Sequence, residues 1–274
     1  MKADLHVHSS YSDGNMSVFE IIEYAKEKDI NVIAITDHDN LESIKDIKTI
    51  NDDVLVLVGV ELSTHCNKEN VHILGYFYNN EIANNEIKEY LNELRINRDR
   101  RIYKIIDRLK EFYNISIDYK SIKKYSSGSI GRPHIAKAIV EKYGCTYDEA
   151  FDRYIGNNAK AYIPTTHFDT KDAIDFLHRN GAVAVIAHPK HIKNNNIVDI
   201  IKLGVDGIEA YYPEHDLNDT KKYLELAKEY NLLVTGGSDF HGIGIKEDLG
   251  TSLVKDNYLE EFLLKINVTK KEKS

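Results

Sequence analysis

VLVLVGVE (residues 54–61) runs through seven apolar or glycine positions and closes on a glutamate. Near-continuous β-branched stretches of this length are what strands covered on both faces look like. A strand of that kind ending on a carboxylate carries a polar group to the rim of its sheet. The pattern recurs in ADLHVH (3–8), NVIAIT (31–36), HILGYF (72–77), AVAVIAH (182–188), GIEAYY (207–212) and LLVTGGSD (232–239). Helical patterns lie between them. Ser17 and Glu20 form a capping box ahead of VFEIIEYAKEK, and DTKDAIDFLHRNG and LNDTKKYLELAKEY are amphipathic. Strand and helix alternating in this way imply parallel βαβ units, arranged as a barrel or an open doubly wound sheet.

The alternation stops between residues 82 and 163, where only helical patterns appear. ANNEIKEYLNELRINRDRRIYKIIDRLKEFY places Leu91, Leu94, Ile102, Ile105, Ile106 and Leu109 near helical spacing. GRPHIAKAIVEKYG has Pro133 near a helix start and Gly144 at its end. The reading is an α/β body of residues 1–81 and 164–274 with a helical insertion of 82–163. TKKEKS at the C-terminus reads as a solvated tail.

With 274 residues, 42% of them hydrophobic, the chain can bury one large core or a core with an insertion. Its formal charge of -8 argues against a general nucleic-acid coat protein, because non-specific phosphate binding needs a basic field. An extended DNA duplex is therefore not an expected partner. Cys66 and Cys145 stand alone, with no CxxC pair, which fits a reducing cytoplasm. No apolar run approaches ~18 residues and the chain opens on a polar, strand-like stretch, so neither a membrane span nor a signal peptide is expected.

Twelve histidines are the compositional oddity. A period of two puts His6 and His8 on one face of the first strand. Asp13 follows on a Ser/Gly-rich turn, His38 comes just after NVIAIT, Glu61 ends its strand and His72 opens HILGYF. His188 ends AVAVIAH, and Asp239 and His241 follow LLVTGGS. Most of these positions are C-terminal strand ends, where α/β barrels and open sheets gather their sites. A lone buried histidine is more often a satisfied core residue than a ligand. Nine such donors at strand ends are different, because burying them unpaired and without a metal is expensive. The set suits Zn, Mn or Fe. Asp37 and Asp39 read as flanking residues. His65, His167 and His178 fall outside the pattern, His191 is left open, and His215 is a candidate for lining the site.

HVHSSYSDG, ITDHDN, GVELS, HILGYF, AHP and GSDFHG, in this order, resemble the PHP (polymerase and histidinol phosphatase) family of metal-dependent phosphoesterases across nearly the whole chain. GRPHIAKAIVEKYG and DEAFDRYIGNNAKAYIP are similar to the small bacterial TrpH-like subgroup, which acts on nucleotides and short RNA. The resemblance implies a distorted (β/α)7 barrel holding three divalent ions. His6, His8, Glu61 and Asp239 would surround one ion. Glu61 would bridge to a second, held by His72 and His188, and Asp13, His38 and His241 would hold the third.

Such a cluster suits phosphate-ester hydrolysis without a covalent nucleophile, one ion activating water and the others neutralising phosphoryl oxygens. Arg132 and His134, in GRPH near a predicted helix start, are suited to grip a phosphate, and the resemblance implies that they do. RINRDRRIYKIIDRLK (95–110) sets Arg95, Arg98, Arg100, Arg101, Lys104, Arg108 and Lys110 against Asp99 and Asp107. A solvated face explains many such runs, but Arg98 and its neighbours would also suit a nucleotide or an RNA 5′ end. Tyr212, with Tyr211, is a candidate for stacking a base or ribose. The leaving-group acid is left open between His215 and a metal-bound water. The expected substrate is a 3′,5′-bisphosphonucleotide, with short RNA as a related one. Histidinol-phosphate phosphatase and a non-catalytic metal-binding module are the alternatives.

Overall fold

The computed structural model describes residues 1–50, 52–67, 69–82, 86–125, 130–163, 168–245, 247–254 and 256–267. The chain divides into two compact units, residues 1–89 with 167–274, and residues 90–166. His167 and the TKKEKS tail lie outside the described residues.

Among the described residues the first unit has eight strands: β1 (Ala3–Val7), β2 (Val32–Ile35), β3 (Leu55–Cys66), β4 (Glu69–Phe77), β5 (Phe168–Asp169), β6 (Ala182–Ile186), β7 (Gly207–Tyr211) and β8 (Leu233–Gly236). Seven form one path in the order β1-β2-β3-β4-β6-β7-β8, and β5 pairs with β3 off that path. The path bends into a nearly closed barrel. Val7 makes a parallel bridge to Phe240 beyond β8, and the His8 N–H donates to the Phe240 carbonyl at 2.8 Å. The helices are α1 (Val18–Glu27), α2 (Ile44–Ile47), α3 (Glu86–Tyr113), α4 (Tyr119–Lys123), α5 (Arg132–Tyr143), α6 (Tyr147–Ala150), α7 (Thr170–Arg179), α8 (Ile197–Ile201), α9 (Leu217–Tyr230) and α10 (Asp256–Lys265). Both halves of the Ser17–Glu20 capping box are present at α1.

Every residue of β1, β2, β6 and β8 is buried, as two-sided strands require. Leu5, Ala34, Leu57, Leu74 and Val185 pack into the apolar cluster that α10 covers with Leu259 and Phe262.

Uniformly parallel pairing fails at one strand. β4 runs antiparallel to both β3 and β6. β3 ends at Cys66 and β4 begins at Glu69, far too short a connection for a parallel crossover, which needs a dozen or more residues. The consequence is local but useful. Because β4 is reversed, residues near its start lie at the end of the barrel where the parallel strands finish, so His72 faces Ser63 of β3 in register.

The second unit has its own core. Ile102, Ile105 and Leu109 of α3 pack with Ile122, Ile135, Ile139, Ile155 and Ala161. Pro133 stands in the first turn of α5, and Gly144 ends that helix in the left-handed conformation, φ 71°.

Candidate metal centre

β1 delivers His6 and His8 to one place by strand periodicity, and both are fully buried. His8 Nε2 lies 3.2 Å from Glu61 Oε2 and 3.1 Å from Asp239 Oδ1. His6 Nε2 lies 3.4 Å and 3.6 Å from the same two oxygens. The other oxygen of Glu61 is 2.7 Å from His72 Nδ1 and 2.9 Å from His188 Nε2. His38 Nδ1 approaches Glu61 Oε2 at 3.0 Å. On the far side of His8, Asp13 Oδ1 is 3.3 Å from His241 Nε2, and the His8 and His241 rings stack with centroids 4.1 Å apart.

These side chains fall into three groups whose donor atoms converge closely enough to share an ion: His6, His8, Glu61 and Asp239; His38, Glu61 and His72; and His8, Asp13, His38 and His241. Eight of the nine expected donors fall in these groups, and the ninth, His188, lies 2.9 Å from Glu61 Oε1 without belonging to any of them. The arrangement fits divalent ions on its own chemistry. His6 Nε2, both ring nitrogens of His8, His38 Nδ1, Glu61 Oε2 and Asp13 Oδ1 are buried without a hydrogen bond. An unsatisfied buried polar atom costs about 1–3 kcal/mol, and six at one point form a set that a bound cation would satisfy. An all-imidazole and carboxylate donor set suits Zn, Mn and Fe.

Electrostatics divide the histidines. Burial opposes charge on His6 and His8, but carboxylates outweigh it. Glu209, Glu61 and Asp239 raise His6 well above the usual imidazole range, and Asp239 and Glu61 take His8 up to about 9. At His38 burial wins and the ring falls to about 4. Burial likewise lowers His188. Desolvation works against ionised Glu61 and Asp13, yet the surrounding imidazoles hold both well below the carboxylate range.

Several supports were not legible as such in the sequence. Glu209 is fully buried on β7, lies 3.0 Å from His6 Nδ1 through Oε1, and accepts the His188 backbone N–H at 2.6 Å through Oε2. With Nδ1–H donating to that carboxylate, Nε2 is the nitrogen that faces Glu61. The only signal was a lone acidic residue inside an apolar strand, GIEAYY. Asp37 accepts from Ser9 N–H at 2.8 Å, Ser9 Oγ at 2.7 Å and Ser12 Oγ at 2.6 Å, pinning the turn that carries Asp13. In that turn a Cβ on Gly14 would stand 2.4 Å from the His8 carbonyl oxygen, so only glycine fits. Asp39 accepts from Ser63 N–H at 2.9 Å.

Tyr212 is buried, donates its hydroxyl to Asp239 Oδ2 at 3.2 Å and packs against the His188, His191 and His215 rings. Only 7% of it is exposed, so its ring is committed to supporting a candidate ligand and offers no open platform for a base. His215 donates Nδ1–H to the Ala210 carbonyl at 3.0 Å, and its buried Nε2 has no hydrogen bond. His191 pairs with Glu214 and His178 with Asp206.

Arg132, His134 and Arg98 belong to the helical unit. The Arg132 guanidinium sits over the Phe151 and Tyr162 rings, 5.4 and 5.2 Å from their centroids, and donates to Asn157 Oδ1 at 2.7 Å. His134 Nδ1 accepts the Gly131 N–H at 2.9 Å, closing the first turn of α5. Within the basic run Arg95 is exposed but Arg101 is not. It is buried, lowered to about 10 by desolvation and Arg132, and donates Nε–H to the Ile163 carbonyl at 2.7 Å.

A barrel with this cluster at its strand ends defines a class of metal-dependent hydrolase, and the comparisons identify the class. The PHP domain matches residues 4–161. A 5′-3′ exoribonuclease of Haemophilus influenzae is 31% identical over 253 residues, 88% of this chain and 90% of that one. A phosphoribosyl 1,2-cyclic phosphate 1,2-diphosphodiesterase of Eggerthella lenta is 28% identical, covering 88% and 95%. A 3′,5′-nucleoside bisphosphate phosphatase of Chromobacterium violaceum is 28% identical, covering 88% and 87%. Among solved structures, a Bifidobacterium adolescentis protein assigned as a metal-dependent phosphoesterase superposes with a TM-score of 0.78 at 29% identity, over 96% of this chain and 95% of that one. An amidohydrolase of Chromobacterium violaceum with bound sulfate and no metal gives 0.81 at 25%, over 97% of each chain.

The chain belongs to the PHP domain family, and with it to the metal-dependent phosphoesterases, enzymes that hydrolyse phosphate esters. Its described helices include none long and apolar enough to cross a membrane.

Proposed function

We propose that the chain removes phosphate from nucleotides, foremost 3′,5′-bisphosphonucleotides such as adenosine 3′,5′-bisphosphate, and trims short RNA from its 5′ end in a reducing cytoplasm. The observation that carries the reading is Glu61, whose two oxygens are shared among five imidazoles at the meeting point of the donor groups. Similarity to an exoribonuclease and a nucleoside bisphosphate phosphatase supports nucleotides as the substrate class. A fold relative that holds sulfate supports a site for a tetrahedral oxyanion.

In this reading three divalent ions are held, one by His6, His8, Glu61 and Asp239, one by Glu61, His72 and His188, and one by Asp13, His38 and His241. Bound there, they would supply Lewis acidity, drawing charge from the phosphoryl group and making water a better nucleophile. The protein's own part is positional. Glu209 keeps the His6 proton on Nδ1, Asp37 holds the Asp13 turn, and Tyr212 orients Asp239. In the helical unit, Arg132 is a fixed cation at the start of the twelve-residue α5, where a helix N-terminus and a guanidinium fork both favour phosphate. His134 and Arg98 would add donors to that grip.

The test is phosphate release by Mn-loaded protein from adenosine 3′,5′-bisphosphate and histidinol phosphate side by side. The nucleotide should be preferred by at least about tenfold in kcat/KM, a difference of about 1.4 kcal/mol. Preference for histidinol phosphate would overturn the substrate assignment. No turnover of either by metal-loaded protein would overturn catalysis itself. Arg132→Ala should lower kcat/KM for the nucleotide, and an unchanged value would remove Arg132 from the site.

A further inference from the structure

The helical unit carries a second constellation that the metal centre does not use. Tyr103 on α3 is 52% exposed, and its ring stacks on Tyr119 with centroids 4.8 Å apart and planes 12° from parallel. The lower ring is fixed from two directions. Tyr119 opens α4 directly behind its cap, Asp118, and its hydroxyl donates to Asp99 on α3 at 2.9 Å. Tyr103 therefore lies flat on a held partner and keeps an open face. A tyrosine packed on one side and open on the other offers a stacking face with a polar edge.

The surroundings are mainly cationic, although the exposed Asp107 follows Tyr103 by one turn. Ile96, Arg100, Tyr103 and Lys104 are all exposed at i, i+4, i+7 and i+8, one face of α3. Arg95 is exposed beside them and acts electrostatically on Tyr119. Arg101 and Arg108 are not part of this surface, because they donate to the carbonyls of Ile163 and Tyr162. The charge of the molecule is unevenly placed as well. Residues 90–166 hold fifteen Lys and Arg against nine Asp and Glu, a surplus of six, whereas the rest holds twenty-one against thirty-five.

An acidic peptide would use the cations and leave the ring idle. A duplex would use them too, but its bases are already stacked on one another. A single strand offers unstacked bases and phosphates together, and base-on-aromatic stacking beside Arg and Lys is how such strands are held without sequence preference. We propose that Tyr103, backed by Tyr119 and flanked by Arg95, Arg100 and Lys104, is a docking platform for single-stranded RNA. It takes one base on the open tyrosine face and the neighbouring phosphates on the cations. The proposal rests on the RNA-trimming reading above only in naming RNA as the strand; the platform lies on residues outside the metal centre.

The experiment is fluorescence anisotropy of metal-loaded full-length protein with a 3′-labelled, phosphorothioate-linked single-stranded RNA of about ten nucleotides. Tyr103→Ala should weaken binding by about tenfold, while Tyr103→Trp, which restores a stacking face, should bind like the natural protein. Arg100→Glu with Lys104→Glu should weaken binding and flatten its salt dependence. Turnover of adenosine 3′,5′-bisphosphate by Tyr103→Ala should stay within about twofold, since stacking losses belong to the strand alone. Equal binding by Tyr103→Ala, equal binding of duplex RNA, or no binding by the natural protein would each overturn the platform. Tyr103-dependent binding in a protein that does not hydrolyse the bisphosphate would uphold the platform and overturn the nucleotide-phosphatase reading.

Discussion

Glu209 touches no substrate in the proposed reaction, yet it decides which His6 nitrogen faces the cluster, because its carboxylate accepts from Nδ1 and from the His188 N–H at once. Carboxylates behind metal-bound histidines typically change metal affinity by about 10–100-fold. Glu209→Ala should therefore weaken Zn or Mn binding by that factor in a competition titration with a chromophoric chelator. Glu209→Gln, which can still accept from Nδ1–H, should lose less. Equal affinity in both variants would remove Glu209 from the centre. His6→Ala and His188→Ala should abolish phosphate release while far-UV circular dichroism stays natural in shape, and retained turnover in both would sink the metal assignment. The nine candidate donors could be picked out because they fell into short motifs near strand ends. Glu209 was not, because one acidic residue in a strand looks alike whether it faces solvent or a buried imidazole.

The elements carry the geometry that motifs cannot. Strand existence was readable from the apolar runs, but the direction of β4 was not, since reversal depends on the length of one connection rather than on composition. His188, Asp239 and Asp39 take positive φ values of 27°, 53° and 47° just beyond their strands. Such conformations are unfavourable for residues with a Cβ and gather where side chains must be aimed. Away from the centre, α7 is tied to the β6–β7 connection by His178, whose Nε2 lies 2.7 Å from Asp206, while Asp206 also accepts the Ala184 N–H at 2.8 Å. The Asp206 hydrogen bond raises His178, and Asp206 itself is lowered despite burial, chiefly by that same bond. A raised histidine stabilises most below its unfolded value near 6.5 and loses that contribution as pH climbs through its folded value. A lowered aspartate contributes above about 3.8 and loses it on acidification. Urea melts of natural and His178→Gln protein should therefore differ most near pH 5–6 and converge by about pH 9. For a half-exposed pair the difference is at most ~1 kcal/mol. A gap that widens above pH 8 would contradict the pairing.

At the scale of the whole molecule, the chain divides into two compact units, each with its own core. Ions bound only by the folded barrel stabilise it by mass action, about 4 kcal/mol at a thousandfold excess over Kd, or roughly 8 °C for a chain of this size. Stripping with a chelator should lower Tm by that order, readding Mn or Zn should restore it, and an unchanged Tm would mean that the orphaned donors bind nothing. The closure between β1 and the segment beyond β8 has a further meaning for the chain during synthesis. The His38, Glu61 and His72 group is complete once residue 72 has been made, but the other two need Asp239 or His241, which are made much later. Bringing His8 to Asp239 and His241 incurs the loop-closure entropy of the long segment between them. A cation cannot template that event, because its donors do not exist as a set beforehand. The last ions to load would act as a latch on a finished barrel, and hydrolytic competence would be withheld from every truncated or half-made copy.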